Sequence, residues 1–306
     1  MRVTVLGPQR RPTLDKVVQA LEIDGPVATV TSGWQERERE DDELAGLLGG
    51  RTVNLGLYGR WIEVLERDGE LGVAELEHRA VLDELQQLYL GQLDHALDAM
   101  YTVARRSGGR PRTTEAALAD ARSVVRLVDE NHLRRVRAAH DDFYSAWRLQ
   151  DRPLVAEHRE AVRQLLSGTA GLVVAGGHVG VLVRVLHLFH VTPHLPETVV
   201  AWSAGAMALT DRVVLFHDRA PQGPSHAEVY DAGLGLVPGI VLLPHARRRL
   251  RVDDHVRMSV LARRFAPARC VVLDDGVRLD VGPDGELPPE ARIVTEDGRV
   301  ATLADA

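Results

Sequence analysis

Short aliphatic and β-branched runs alternate with helical periods over the first part of the chain. The pattern predicts five elements: strand Val3–Leu6, helix Thr13–Leu21, strand Val27–Thr31, helix Glu38–Leu48 and strand Thr52–Leu55. Such alternation is typical of βαβ units around a parallel sheet. Because ligands bind at the carboxyl ends of the strands in these sheets, the loop 32–36 lies on the functional edge. Trp34 in this loop is therefore a candidate for substrate binding.

The pattern changes from about Trp61 to Leu166, where long helical periods rich in Leu, Ala, Glu and Arg take over. The segment 107–111 predicts a turn between two long helices. A stretch of this length exceeds a simple crossover, so we interpret it as a helical insertion that serves as a lid or a dimer interface. The predicted organisation is a first part of an α/β domain at 1–58, the insertion at 59–167, and a second part at 168–306.

Two acid–histidine pairs in this insertion have the spacing that di-iron helical bundles use. They are Glu75 with His78 and Asp129 with His132. Helices rich in acidic residues produce such pairs by chance, and the apolar stripes do not show the full set of inward-facing carboxylates. We therefore expect no metal site.

The α/β pattern resumes after the insertion. The further predicted elements are strand Gly171–Ala175, helix Val179–Leu188, a strand before Ser203 and a helix after it, then strands Arg212–Phe216, Gly239–Leu243, Arg269–Leu273 and Val277–Val281. The segment 296–299 predicts the turn of a final hairpin.

Composition excludes several classes of protein. The 306 residues are 45% hydrophobic and 26% charged, which is ordinary for a globular protein. A net charge of -7 argues against broad nucleic-acid binding. Cys270 is the only cysteine, so neither an intrachain disulfide nor a cysteine zinc site is possible. No apolar run reaches membrane-spanning length, and the amino terminus does not have the pattern of a signal peptide, so we expect a cytoplasmic protein without membrane contacts.

Ser203 stands in a sequence typical of a nucleophile elbow. An apolar run leads into Trp202-Ser203-Ala204-Gly205-Ala206, and the small residues after the serine allow close approach of the backbone. Glycine would be usual where the chain has Ala201. The pattern predicts a serine nucleophile exposed at the end of a strand, and Trp202 beside it is a candidate substrate contact.

Serine hydrolysis also needs oxyanion donors and a base. The turn Gly176-Gly177-His178 follows a predicted strand and presents backbone N–H groups, and the N–H of Ala204 directly follows the serine. His245 ends another predicted strand and is a candidate base, with His178, His217 and His226 as rivals. The candidate carboxylates to orient the base are Asp274, Asp275, Asp218, Asp231 and Glu228.

These motifs, in this order and spacing, resemble peptidase family S51, which contains aspartyl dipeptidase and cyanophycinase. The resemblance rests on 175–177, 202–206, the run 233–236 and Pro244-His245, and covers about residues 170–281. It implies a class I glutamine amidotransferase-like, flavodoxin-like α/β fold with a mostly parallel sheet flanked by helices, here with a long all-helical insertion. The resemblance also implies that Ser203 is the nucleophile, His245 its base, Gly177 and Ala204 the oxyanion donors, and Asp275 the third member, where the family usually has Glu.

The chain departs from the family at positions that contact substrate. His178 and Val179 follow the glycine pair, and Leu243 and Pro244 precede the histidine, so recognition of a β-aspartyl-arginine backbone is unsupported. His178 is retained as a substrate-binding candidate. Arginines follow the histidine, and we expect Arg249 or Arg251 to bind a substrate carboxylate.

The sequence thus predicts a serine hydrolase, a peptidase or amidase that cleaves a small peptide or amide through an acyl-enzyme, without cofactor or metal, and that forms a homodimer. Two alternatives stay open. One is a noncatalytic binding or regulatory relative of the same fold. The other is a partner-dependent amidotransferase-like protein, which the serine disfavours because thiolate chemistry is usual there.

Overall fold

The structure of the protein is a computed structural model that describes residues 1–10, 12–106, 110–219 and 226–306. The strands are β1 (Arg2–Leu6), β2 (Val27–Val30), β3 (Thr52–Asn54), β4 (Gly171–Val174), β5 (Thr198–Trp202), β6 (Val213–Leu215), β7 (Glu228–Asp231), β8 (Ile240–Pro244), β9 (Arg269–Leu273), β10 (Arg278–Val281), β11 (Arg292–Val294) and β12 (Val300–Thr302). The helices are α1 (Leu14–Ala20), α2 (Asp42–Leu47), α3 (Leu57–Arg67), α4 (Gly69–Ala104), α5 (Pro111–Trp147), α6 (Pro153–Ser167), α7 (Val179–Leu188), α8 (Ala204–Ala208), α9 (Ala246–Arg249) and α10 (His255–Phe265).

A six-stranded sheet in the order β10-β1-β5-β4-β2-β3 forms the centre of the α/β part. All its neighbouring pairs are parallel except β10 with β1, which places the one antiparallel strand at an edge. Helices flank this sheet, and its four inner strands are almost entirely buried, as expected for a parallel sheet covered on both faces. The predicted mixed α/β architecture with a helical insertion is confirmed.

The strands that carry the candidate base lie in a second sheet, which the sequence did not predict. Its order is β12-β11-β9-β8, with β8 and β9 parallel. The hairpin of β11 and β12 is the one predicted around 296–299. The loop from Asp274 to Val277 connects this sheet to β10, and the N–H of Gly7 donates to the carbonyl of Val277 at 2.8 Å. The ends of β1, β8 and β9 are thereby held close together.

The predicted helix Glu38–Leu48 is wrong in its first half. Residues Ser32–Arg37 form a 3₁₀ segment that is interrupted by a kink at Gln35, and α2 begins only at Asp42. The reason is the buried carboxylate of Glu38, which accepts hydrogen bonds from the Ser32 hydroxyl (2.6 Å) and from two backbone N–H groups at the start of α3 (2.9 and 2.8 Å). Because the Glu38 side chain caps α3, the backbone around Glu38 is held against the core and does not start a helix there.

The insertion is built on the antiparallel pair of long helices α4 and α5, and the predicted turn at 107–109 lies outside the described residues. A buried ionic cluster joins this pair to the rest of the fold. The Arg264 guanidinium on α10 donates to both carboxylate oxygens of Asp129 (2.7 and 2.6 Å) and to the Tyr89 hydroxyl (2.9 Å). The Asp129 carboxylate is therefore already paired with an arginine. Removing either partner would leave a buried charge unpaired and lower the free energy of unfolding by about 3–5 kcal/mol.

A second polar chain runs from β7 into the helical pair. His140 Nε2 lies 3.0 Å from an Asp231 carboxylate oxygen, and His140 Nδ1 lies 3.0 Å from His78 Nε2. His78 stacks on Phe143, with ring centroids 4.5 Å apart. Burial, followed by the nearby His140 and Arg184, lowers the pKa of His78 to about 4. His78 is thus held neutral inside the folded protein.

Acidification is expected to destabilise the protein between about pH 6.5 and pH 4. A histidine has a pKa of about 6.5 in the unfolded chain, whereas the folded state binds the His78 proton only near the lowered value. The unfolded state therefore takes up more protons in this window, and the free energy of unfolding falls as the pH falls. Urea unfolding at several pH values measures this slope.

The substitution His78→Gln should reduce the slope, because it removes one proton that only the unfolded state binds at these pH values. His95→Gln is the matched control, since His95 is an exposed residue of the same helix. Equal slopes for wild type and His78→Gln would contradict the expectation.

Candidate active site

Ser203 follows β5 directly and lies at the carboxyl edge of the central sheet. Its backbone adopts φ 52° and ψ -120°, a conformation that costs a residue with a side chain about 1–3 kcal/mol. The turn is held by the Ser203 N–H, which donates to the carbonyl of Leu6 at 3.2 Å. A Cβ at position 205 would come within 2.4 Å of the Val174 carbonyl oxygen, so only Gly205 allows α8 to start this close to β4. This is the geometry of a nucleophile elbow.

His245 is the histidine that the structure brings to the serine. It follows β8 in the left-handed conformation, with φ 58°, and its Nε2 lies 3.4 Å from the Ser203 Oγ. The distance is suitable for a base in a free enzyme, where such contacts are often long. The backbone N–H of His245 donates to the carbonyl of Leu273 at 3.3 Å, which ties the histidine to the end of β9.

The rival histidines occupy other places. His178 caps α7, because its Nδ1 accepts the N–H of Val181 at 3.2 Å. His226 stacks on Tyr101, with ring centroids 5.4 Å apart. Neither His226 nor His217 lines the two cavities that meet at Ser203.

His245 is held in its neutral form at neutral pH. Burial lowers its pKa below the usual value, and the positive charge of Arg249 lowers it further, while the negative charge of Asp275 acts in the opposite direction. A neutral imidazole can accept the serine proton, so the electrostatic environment suits a general base.

Among the described residues, no carboxylate forms a hydrogen bond with the second ring nitrogen of His245, Nδ1. Asp275 is exposed and affects His245 only through its charge. One carboxylate oxygen of Asp274 accepts the N–H of Arg247 at 3.1 Å, and the other lies 3.5 Å from Arg247 Nε and accepts no hydrogen bond from the described residues. The role of Asp275 as third member stays a prediction.

The other three candidate acids are engaged elsewhere. Asp218 is buried and pairs with Arg257 on α10. Asp231 binds His140, as described above. Glu228 lies on β7, outside the two cavities at Ser203, and burial raises its pKa.

Two backbone N–H groups near Ser203 have the positions expected of oxyanion donors. Among the described residues, no acceptor uses the N–H of Gly177 or that of Ala204. Gly177 has φ 128°, and a Cβ there would lie 2.3 Å from the carbonyl oxygen of Gly33. The glycine is therefore required both by its conformation and by its close approach to the loop after β2. The start of α7 adds a helix dipole to this side of the serine.

Ser203 and His245 lie where two cavities meet. Four of the five residues predicted to contact substrate line these cavities. One cavity, of about 440 Å³, is lined by Trp34 and Trp202. The other, of about 500 Å³, is lined by His178 and Arg249. Arg251 borders neither cavity; its side chain is exposed, and its backbone N–H donates to Asp218 at 3.0 Å.

The cavities also have lining residues that the sequence did not predict, among them Arg10 and Tyr230. Arg10 lines the first cavity and Tyr230 the second. Arg10 comes shortly after β1, which is parallel to β5, so its place at the functional edge follows from strand order once that order is known. Tyr230 belongs to β7, outside the central sheet, and no local pattern marks it.

Nothing in the described part of the chain brings three or more histidine, cysteine, aspartate or glutamate side chains together as metal ligands. None of the described helices is both long enough and apolar enough to cross a membrane.

The chain matches no protein-family model and no curated protein. Among solved structures it is similar to a crystal structure of a peptidase from an acI-B1 actinobacterium. The identity is 12%, the TM-score is 0.44, and the similarity covers 98% of this chain and 96% of the other.

Proposed function

We propose that the protein is a serine hydrolase of the S51 type, a peptidase or amidase that cleaves a small peptide or amide through an acyl-enzyme. The observation that carries the proposal is the contact of 3.4 Å between the Ser203 Oγ and His245 Nε2 at a strained elbow. The unused N–H groups of Gly177 and Ala204 beside the same serine support it.

In this mechanism the Ser203 oxygen attacks the substrate carbonyl, and its proton passes to His245 Nε2. The N–H groups of Gly177 and Ala204 donate to the oxyanion that forms. Collapse of the intermediate breaks the C–N bond, and the His245 proton goes to the leaving amine. Water then attacks the acyl-enzyme and gives a proton to His245. The bond between the acyl carbon and the Ser203 oxygen breaks, the acid departs, and His245 returns its proton to the Ser203 oxygen.

Arg249 is the residue we assign to a substrate carboxylate. Its guanidinium lines the second cavity and makes no hydrogen bond or ion pair within the described ranges, and burial lowers its pKa. A half-buried cation without a counterion is costly, and a carboxylate offers two oxygens that match the guanidinium. A carboxylate bound there would lie close to the reacting serine.

A fluorophosphonate probe tests the proposed function. Wild-type protein should be labelled at Ser203, as identified by mass spectrometry of the labelled peptide, and Ser203→Ala should not be labelled. Ser123→Ala, at an exposed serine of α5, should label like wild type.

The other outcomes separate the alternatives. Absence of labelling in folded wild-type protein would favour a noncatalytic binding or regulatory relative. Glutaminase activity that depends on a copurifying partner would favour an amidotransferase-like protein.

A further inference from the structure

The cavity beside Trp34 is a cleft with an apolar floor. It lies between the segment after β1, the 3₁₀ segment at 32–37 and α2, and it opens directly onto Ser203. Its apolar lining includes Leu14, Trp34, Leu44, Leu47 and Trp202. Two tryptophans and three leucines around one cleft next to a reactive serine form a surface that suits an apolar side chain.

The tryptophan walls are fixed in place. Trp202 directly precedes the elbow and is only 9% exposed. Trp34 precedes Gln35, whose backbone has φ 58° and ψ -122°, the same strained conformation as Ser203. Strain of this kind persists only where the surrounding structure enforces it, and it concentrates at functional sites. Trp34 also packs against the buried cluster that contains Leu14, Leu44 and Trp202, so the apolar side of the cleft is continuous with the core.

The charges of the cleft are at its rim and balance one another. Arg10, Arg37, Glu40 and Glu43 provide two positive and two negative groups. Arg37 and Glu40 pair at 2.7 Å, and both side chains are largely exposed. Because the four charges sum to zero and one pair neutralises itself, we expect the apolar lining to contribute more to selectivity than the rim.

The second cavity has a different character. It carries Arg249, half-buried and without a partner among the described residues, together with His178 and Tyr230. Ser203 and His245 border both cavities. A substrate whose scissile bond lies at Ser203 therefore places one end against an apolar surface and the other near a cation.

We propose that the cleft at Trp34 and Trp202 is an apolar subsite, and that the substrate is a small peptide or amide with an apolar or aromatic side chain on one side of the scissile bond and a carboxylate on the other. This inference rests on the proposed hydrolase function and adds its substrate class.

A dipeptide panel tests the subsite. The probes vary one position at a time among phenylalanine, leucine, alanine, aspartate and arginine, with alanine at the other. At one of the two positions, phenylalanine or leucine should raise kcat/KM at least about tenfold over alanine, the size of effect that apolar pockets produce. A preference for aspartate or arginine at both positions, or a flat panel, would overturn the proposal.

Substitutions locate the effect. Trp34→Ala should lower the ratio of kcat/KM for the phenylalanine substrate to kcat/KM for the alanine substrate about tenfold or more, mainly by raising KM for the phenylalanine substrate. Trp147→Ala is the matched control, because Trp147 packs against Arg152 on the helical insertion. Arg249→Met should raise KM for substrates with a carboxylate while the preference for phenylalanine persists. If Trp34→Ala does not fold, Leu47→Asp on another wall of the cleft should give the same selective loss.

A labelling experiment keeps the two proposals apart. A fluorophosphonate with a phenylalkyl tail should label Ser203 faster than one with a polyether tail, and Trp34→Ala should remove the difference. Labelling at equal rates would overturn the apolar subsite while the hydrolase stands. A complete absence of labelling would overturn both.

Discussion

Replacing Ser203 with alanine is expected to lower the turnover of a small peptide or amide substrate by between about 10⁴-fold and 10⁶-fold, as loss of the nucleophile does in serine proteases. The reason is that the acyl-enzyme cannot form without the Oγ that lies 3.4 Å from His245. The oxyanion donors and the cavities remain, so a small residual rate over water is expected. Single-turnover kinetics with purified variant measure this residual rate free of traces of wild-type enzyme.

The fold should survive this substitution, because Ser203 contributes no side-chain hydrogen bond to the core and α8 begins at the next residue. Ser203→Gly should be as inactive as Ser203→Ala but more stable to urea, since glycine adopts a φ of 52° without strain. Ser123→Ala should retain full turnover. Substantial turnover in both Ser203 variants would rule out Ser203 as the nucleophile.

The elbow could be predicted from sequence because its requirements are local. A strand must end, a serine must follow, and the next residues must be small, and all of this appears in the run from Trp202 to Ala206. The turn at Gly177 is local in the same way. The pairing of β1 with β5, which brings Arg10 to the serine, depends on strand order and is not contained in any short segment.

Other features depend on contacts that no local pattern shows. Glu38 looks like the start of an amphipathic helix, yet its carboxylate caps α3, about twenty residues later in the chain. Asp129 and His132 have a metal-binding spacing, but the Asp129 carboxylate accepts hydrogen bonds from Arg264 on α10. In each case a polar side chain forms hydrogen bonds with residues distant in the sequence. These contacts, and not the local sequence pattern, determine the conformation and the role of the side chain.

The candidate carboxylates near His245 illustrate the same limit. The sequence predicted Asp274 and Asp275 at the end of a strand, and β9 does end beside His245. Which side chain turns toward the imidazole depends on the conformation of a four-residue loop. There Asp274 faces Arg247, and Asp275 faces solvent.

His245→Ala should lower turnover about as far as Ser203→Ala, because the serine hydroxyl is a poor nucleophile without a base to take its proton. The two losses should not add. The double variant should be no slower than either single one, since both residues act in one proton transfer. Additive losses in the double variant, or a minor effect of His245→Ala, would show that His245 is not the base of Ser203.

The pH dependence of kcat/KM gives an independent test of the same residue. The pKa of His245 is lowered by burial and by Arg249, while Asp275 acts in the opposite direction. Wild-type activity should therefore fall in acidic solution as the imidazole becomes protonated, with the midpoint of this acid limb below the ordinary histidine pKa of about 6.5. Arg249→Met removes a positive charge, which should raise this pKa and move the acid limb to higher pH. Asp275→Asn removes a negative charge and should move the limb to lower pH. Shifts in opposite directions, measured with a substrate that lacks a carboxylate, would identify the titrating group as His245. If neither substitution moves the acid limb, the titrating group is another residue.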